Sequence, residues 1–165
     1  MPKILLDTKA LWGLIVRGSI YSGHVYEIAK TYQLIIPLPA IIEVIMAIYK
    51  VFSERGTNFE KGFEAVIEAI NKLNAIIKKP NEYGIIAKVL MPKETITLEA
   101  IGIIKDHLEL FVKKGPKNTR WLRLFDAIIA TIWIKEKIPI LADDPVYDKL
   151  AQKYKLKYIR LQKYK

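Results

Sequence analysis

Short, continuous apolar runs alternate along the chain with longer runs of helical period, and this alternation predicts the elements. "KILLD" (3–7) reads as a buried strand that ends in Asp7-Thr8. "ALWGLIV" (10–16) reads as a helix closed near Gly18, and "SGHVYEIAKTYQ" as a second helical piece. "LIIP" (34–37) is a second strand. The long apolar helix 38–52 follows, with Pro39 in its first turn, where the missing N–H has no partner to lose. Thr57 to Glu60 has capping-box spacing. Behind it Phe59, Phe63, Val66, Ile67, Ile70, Leu73 and Ile77 form one helical stripe with charges opposite, and Pro80 stops the helix.

"KVLM" (88–91) is a third strand. Thr97 is expected to cap a helix running to about Lys114, with Gly115 as its stop. Asn118 or Thr119 is expected to start the next helix, which contains Asp126 and ends before Pro139. "PILA" (139–142) is a fourth strand, Asp144-Pro145 opens a helix to about Tyr154, and "LKYIRL" (156–161) is a last strand before a basic tail. Apolar strands alternating with helices predict a parallel sheet covered on both faces. The expected fold is α/β, a three-layer α/β/α sandwich around a central, mainly parallel sheet of about five strands. With no linker, repeat or low-complexity segment, residues 1–165 are expected to form a single domain, with an extended helical region over about 57–114.

Composition narrows the classes. The hydrophobic content of 52% argues against disorder. The absence of cysteine removes disulfides, thiolate metal sites and a cysteine nucleophile. "MPKILLD" reaches Asp7 before any long apolar stretch, so no signal peptide is expected. No apolar run approaches the ~20 residues that span a bilayer. A cytoplasmic protein without a membrane partner is the expectation. The Ile, Lys and Glu bias resembles hyperthermophile composition.

The net charge of +10 is unevenly placed. Residues 1–112 hold 13 basic and 12 acidic side chains, whereas 113–165 hold 14 and 5. A basic segment of this kind favours a polyanion partner, nucleic acid before membrane, and on charge alone a solvated surface is an equal alternative.

Four acids interrupt apolar frames. Asp7 follows the first strand and Asp144 the fourth; taken singly, each also reads as a helix N-cap. Glu43 is the only charge between Pro39 and Tyr49. Asp126 is the one charge in "LFDAIIATIW" (124–133), on a face with Leu122, Ile129 and Trp133. Arg123, three residues earlier, offers it a salt bridge as the structural alternative. In open parallel sheets ligands sit beyond the carboxyl ends of strands, near a topological switch point. Four carboxylates gathered there would repel one another, and a divalent cation resolves the conflict. Mg²⁺ takes hard oxygen ligands together with substrate phosphates, and Mn²⁺ accepts similar ones. The residues therefore point to metal-dependent phosphoryl transfer beside a basic segment.

At this point the chain resembles the PIN-domain family of metal-dependent nucleases. The likeness runs from "ILLDTKAL" through "PAIIEVIMAIY" to "LFDAIIATIWIKEKIPILADDPVYDKL", in order and spacing, over essentially the whole chain. Its size and layout are similar to the toxin ribonucleases of VapC type and their archaeal relatives. The resemblance implies a PIN-like fold and hydrolysis of RNA phosphodiester bonds. Asp7, Glu43, Asp126 and Asp144 would be the catalytic and metal-binding acids, with Mg²⁺ or Mn²⁺ as cofactor, Asp143 as an auxiliary ligand and Tyr147 as the family's aromatic. Asp144 would ligate or position the attacking water. Arg120, Arg123 and Lys9 are the RNA-binding candidates. Expected partners are RNA, an antitoxin protein and a second copy of the chain.

Two positions depart from the family pattern. Lys9 replaces a small polar residue, and Ala142 replaces a Thr or Ser whose hydroxyl could orient metal-bound water. They favour the alternative reading, a catalytically weak or inactive PIN-like module that binds RNA or protein. Retention of all four acids favours the enzyme. A receiver or phosphatase domain ranks lower, because the first strand lacks paired acids and the third meets Pro92. His24 and His107 lack metal-ligand spacing and are expected at a surface or interface. Trp12, Trp121 and Trp133 are expected in a core or dimer interface. "KLKYIRLQKYK" reads as an RNA clamp or an edge strand with a solvated tail.

Overall fold

The structure is a computed structural model, and it describes residues 1–164, apart from the side chain of Asn118. Five strands form one sheet: β1 (Lys3–Leu6), β2 (Gln33–Pro37), β3 (Ala87–Leu90), β6 (Ile140–Ala142) and β7 (Tyr158–Arg160). Two further strands, β4 (Val112–Lys114) and β5 (Arg120–Leu122), pair only with each other. The sheet order is β3-β2-β1-β6-β7, every pair parallel. Register sets Ile4 beside Leu34, and Leu6 beside Leu141. All five sheet strands match the expected ones. Ile4, Leu5, Leu6, Leu34, Ile36, Ile140 and Leu141 are fully buried, as a parallel sheet covered on both faces requires. Each such side chain contributes roughly 1.5–3 kcal/mol of burial.

The covering helices are α1 (Thr8–Ile15), α2 (Ser22–Thr31), α3 (Leu38–Phe52), α4 (Phe59–Lys78), α5 (Pro80–Tyr83), α6 (Ile96–Asp106), α7 (Leu108–Phe111), α8 (Leu124–Glu136) and α9 (Pro145–Tyr154). α1 packs on α2, α3 and α4, and α8 packs on α3 and α6. The result is the three-layer α/β/α sandwich. From β1 the chain builds outward through β2 to β3, then returns to the other side of β1 with β6 and β7. The switch point therefore lies between the carboxyl ends of β1 and β6. Among the described residues no helix is long and apolar enough to cross a membrane.

Four local expectations are corrected. The helix expected over 97–114 begins at Ile96 and stops at Asp106; Val112–Lys114 instead pairs antiparallel with Arg120–Leu122. The break is tertiary in origin, because His107 is drawn inward to the Tyr154 hydroxyl at 3.1 Å. Gly115 is a hairpin corner rather than a helix stop, and a Cβ there would collide with the Trp121 indole. The next helix accordingly starts at Leu124, not at 118 or 119.

The second correction concerns the start of α4. Asn58 is the N-cap, accepting from Lys61 N–H at 3.1 Å, while the Thr57 hydroxyl turns back to the Glu54 carbonyl. Third, the buried face of α4 is Gly62, Val66, Ala69, Leu73 and Ile76; Phe59, Phe63, Ile67 and Ile70 are exposed. Gly62 permits this, since a Cβ there would strike Ser53 and Tyr49 of the preceding segment. Fourth, both histidines are buried. His24 Nδ1 accepts from Gln162 N–H at 3.0 Å, and His107 also meets Lys153 Nζ at 3.1 Å.

The tryptophans divide: Trp133 is core, Trp12 stacks on Phe52, and Trp121 is exposed. β7 is the edge strand, but the tail beyond it is not free. Tyr164 N–H donates to the Ile20 carbonyl and its hydroxyl to Glu27.

Candidate active site

Asp7 is placed by two hydrogen bonds at the switch point. Its backbone N–H donates to the Leu141 carbonyl at 3.1 Å, which fixes it beside the end of β6. Its Oδ1 accepts from Ala10 N–H at 2.7 Å and caps α1. Asp144 does the same for α9, accepting from Val146 N–H at 2.9 Å, with Pro145 following at the first helical position. The cap readings of both acids are therefore right, and each cap leaves one carboxylate oxygen for other work.

Those oxygens, with Glu43 and Asp126, are the candidate donors. Asp126 lies in the first turn of α8, and its Oδ2 accepts from Arg123 Nε at 2.8 Å. The same guanidinium reaches across with Nη2 to Asp144 Oδ2 at 2.5 Å. Arg123 is itself anchored, its N–H donating to the Phe111 carbonyl at 2.8 Å. Glu43, on α3, accepts a hydrogen bond from the Thr8 hydroxyl. Thr8 and the Arg123–Asp144 pair are features that sequence reasoning missed, and neither pairing leaves a signal in local spacing.

The electrostatics tie the four acids together. Asp7, only 5% exposed, has its carboxyl pushed up to about 7 by burial and by the charge of Asp126, against the opposing Ala10 N–H. Burial also raises Glu43, with Asp126 and Asp144 adding to it and Thr8 and Arg123 opposing. Burial raises Asp126 more than Arg123 lowers it. For Asp144 burial acts upward too, but Arg123 and the Val146 N–H outweigh it and hold the carboxyl below its usual value. Tyr147 is 1% exposed and its hydroxyl has no hydrogen-bond partner among the described residues. Burial raises its ionisation well above the ordinary value, and Asp126, Asp7, Asp144 and Glu43 all add to the shift. One orphan hydroxyl thus lies in the field of all four expected acids.

Of the remaining candidates, Asp143 and Lys9 border the acids: the Asp143 backbone N–H and the Lys9 charge both act to lower the Asp7 carboxyl. Asp143 receives the Tyr21 hydroxyl at 3.2 Å and faces Lys9 at 3.7 Å and Arg160 at 3.9 Å. Lys9 also holds the Asp143 carbonyl at 2.8 Å, tying α1 to the turn after β6. Arg120 is exposed on β5. Ala142 is buried, and its carbonyl accepts from the Tyr158 hydroxyl at 3.0 Å.

Beside the acids opens a cleft of about 490 Å³ between the β4–β5 hairpin and the start of α9. Arg123 and Asp144 form its inner wall, and Lys113, Lys114 and Lys149 line it with Glu109. None of these three lysines makes a salt bridge among the described residues.

The donor set suits a hard divalent cation, since it offers only carboxylate oxygens with a buried, unpartnered hydroxyl among them. The placement is not that of an assembled centre. Among the described residues no three His, Cys, Asp or Glu side chains are arranged to hold an ion. Arg123 supplies the positive charge that Asp126 and Asp144 share.

No protein-family model and no curated protein matches the chain. Solved structures do match, 17 chains in all. A domain of a functionally unknown protein from Methanocaldococcus jannaschii superposes with a TM-score of 0.53 at 18% identity, covering 100% of this chain and 94% of its own. A chain of VapBC2 from Rickettsia felis, solved bound to a DNA fragment from their promoter, superposes with a TM-score of 0.57 at 12% identity. That match covers 96% of this chain and 98% of the other. The fold is PIN-like. At these identities the likeness concerns the fold, and the chemistry has to be argued from the side chains.

Proposed function

We propose that the chain is a metal-dependent endoribonuclease and the toxin of a cytoplasmic toxin–antitoxin pair. The observation that carries this reading is the Asp7 carboxylate at the sheet's switch point, with Asp126 near enough to raise it, and the charges of Asp126, Asp7, Asp144 and Glu43 all acting on the buried Tyr147 hydroxyl. In this reading Asp7 and Glu43, with Asp126 and Asp144, would hold Mg²⁺ or Mn²⁺. Such an ion supplies an acidified water and neutralises charge on the phosphate. The remaining work falls to the chain. Lys113, Lys114 and Lys149 hold the RNA backbone in the cleft, and Arg123 sits where the scissile phosphate would meet the acids. Asp144, kept ionised by its neighbours, would ligate or position the attacking water.

Support for the partner comes from the fold alone, through the likeness to a VapBC2 chain, and an antitoxin is proposed on that basis. A catalytically silent RNA-binding module is the second reading. The Arg123 bridge between two of the acids and the missing hydroxyl at Ala142 favour it.

One assay separates the two. Purified protein is incubated with an RNA pool in Mg²⁺ or Mn²⁺ against EDTA, beside Asp7→Asn and Asp126→Asn. The enzyme reading expects cleavage that needs metal and both carboxylates. Cleavage unchanged in the two variants sinks it, and RNA binding without metal-dependent cutting establishes the silent module.

A further inference from the structure

We propose that Arg123 and a divalent cation are alternative occupants of the Asp126–Asp144 pair, and that a phosphodiester strand in the adjoining cleft draws Arg123 away, so that metal and polyanion bind cooperatively. The inference rests on the proposed nuclease reading and gives it an order of assembly.

The exclusion follows from geometry. Arg123 Nε lies 2.8 Å from Asp126 Oδ2 and Nη2 lies 2.5 Å from Asp144 Oδ2, so one guanidinium occupies the facing oxygens of both acids. A Mg²⁺-sized ion needs such oxygens at about 2.0–2.1 Å and brings its own waters. An ion set on those oxygens would stand within a few ångströms of the guanidinium, so charge repulsion and crowding set the two cations against each other. Arg123 cannot leave by losing its proton, because a guanidinium stays charged throughout the working pH range. It has to move.

The cleft gives it somewhere to go. Arg123 lines the acid site on one side and the cleft on the other, in company with Lys113, Lys114 and Lys149. Its side chain keeps 25% of its surface exposed, while its backbone N–H is held by the Phe111 carbonyl. A phosphate group is a strong competitor for it, since its oxygens match the planar fork bidentately. When Arg123 turns outward, Asp126 and Asp144 lose the guanidinium they share. The Tyr147 hydroxyl, buried and without a partner, marks this interior as the place left for a ligand.

The test measures binding. Mn²⁺ affinity is determined by calorimetry or electron paramagnetic resonance for the full chain and for Arg123→Gln. Each is measured with and without a short 2′-O-methyl oligoribonucleotide, after subtracting metal bound by the oligonucleotide alone. The exchange expects Arg123→Gln to bind Mn²⁺ about tenfold more tightly than wild type in the absence of oligonucleotide. It expects the oligonucleotide to tighten Mn²⁺ several-fold in wild type and not in the variant. By linkage, Mn²⁺ must tighten the oligonucleotide on wild type by the same factor.

Equal Mn²⁺ affinity in the two proteins overturns the proposal, and so does an oligonucleotide without effect on wild type. Should Arg123→Gln fail to fold, the Arg123 Nε–H resonance of wild type decides. It must shift when saturating Mg²⁺ and oligonucleotide are added together, and a resonance that stays put refutes the exchange. The nuclease reading fails separately, if wild type takes up metal cooperatively but cuts no RNA.

Discussion

The Thr8 hydroxyl donates to the Glu43 carboxylate, joining the residue after the first acid to the second acid on another helix. This bond opposes the upward shift that burial imposes on Glu43. Thr8→Val keeps the shape and removes the donor. The variant is expected to lose about 1 kcal/mol of stability and to raise the Glu43 pKa further. Carboxyl NMR titration of Glu43 reads the second effect, and an unmoved titration would show that the hydroxyl does not hold the carboxylate.

Asp7 predicts a pH-dependent stability of defined sign. Its folded pKa of about 7 lies above the ordinary 3.8, so the native state binds this proton more tightly than the unfolded chain. The contribution of Asp7 is fully present below about pH 4 and is lost as pH rises through about 7, a fall of up to roughly 4 kcal/mol. Asp7→Asn keeps a side-chain oxygen for the Ala10 N–H and carries no charge. The variant should therefore be more stable than wild type at pH 8 and nearly equal to it at pH 4. Urea denaturation across that range, in EDTA, checks the difference. A stability gap that does not change with pH would mean that Asp7 titrates near its ordinary value.

The sheet and two of its acids were legible because their signals are local. Four of the strands are runs of apolar residues ended by an acid or set against a proline, and Asp7 and Asp144 stand at strand ends with helix-start chemistry after them. What escaped depends on contacts far along the chain. The apolar spacing of Ile103, Ile104, Leu110 and Phe111 continues a helix on paper; His107 breaks it by meeting Tyr154, 47 positions away. The second partner of Arg123 lies 21 positions on, so only the near salt bridge to Asp126 could be read. In α4 two apolar arcs share one helix. Ranking by side-chain size favours Phe59 and Phe63, whereas packing selects the arc with Gly62 and Ala69 that fits closely against its neighbours.

Tyr147 separates a structural aromatic from one that serves a ligand. Its ring packs edge-on against Trp133 at 5.7 Å between centroids, and that contact does not need the hydroxyl. A buried hydroxyl without a partner costs about 1–3 kcal/mol. Tyr147→Phe should therefore be as stable as wild type or more so in EDTA. If the hydroxyl serves the site, the variant should gain less thermal stability from added Mn²⁺ than wild type does. Thermal unfolding with and without Mn²⁺ measures both. Destabilisation of the metal-free variant by more than about 1 kcal/mol would show that the hydroxyl is already satisfied.

The outer arc of α4 is where the expectation of a second copy of the chain is tested. Phe59 and Phe63 stack with ring centroids 5.8 Å apart, and Ile67 and Ile70 continue the ridge, all of them exposed. Scattered apolar residues on a surface need no explanation, but an aligned ridge about three turns long is of the kind that marks an interface. Because these side chains lie outside the core, Phe63→Asp should cost the monomer little beyond its stacking on Phe59, about 1 kcal/mol. The same change buries a charge in a dimer centred on this face and should lower the sedimenting mass to that of the monomer. Wild type and variant sedimenting alike as dimers would place the interface on another face. A wild type that is monomeric at high concentration would leave the ridge with no second copy to receive.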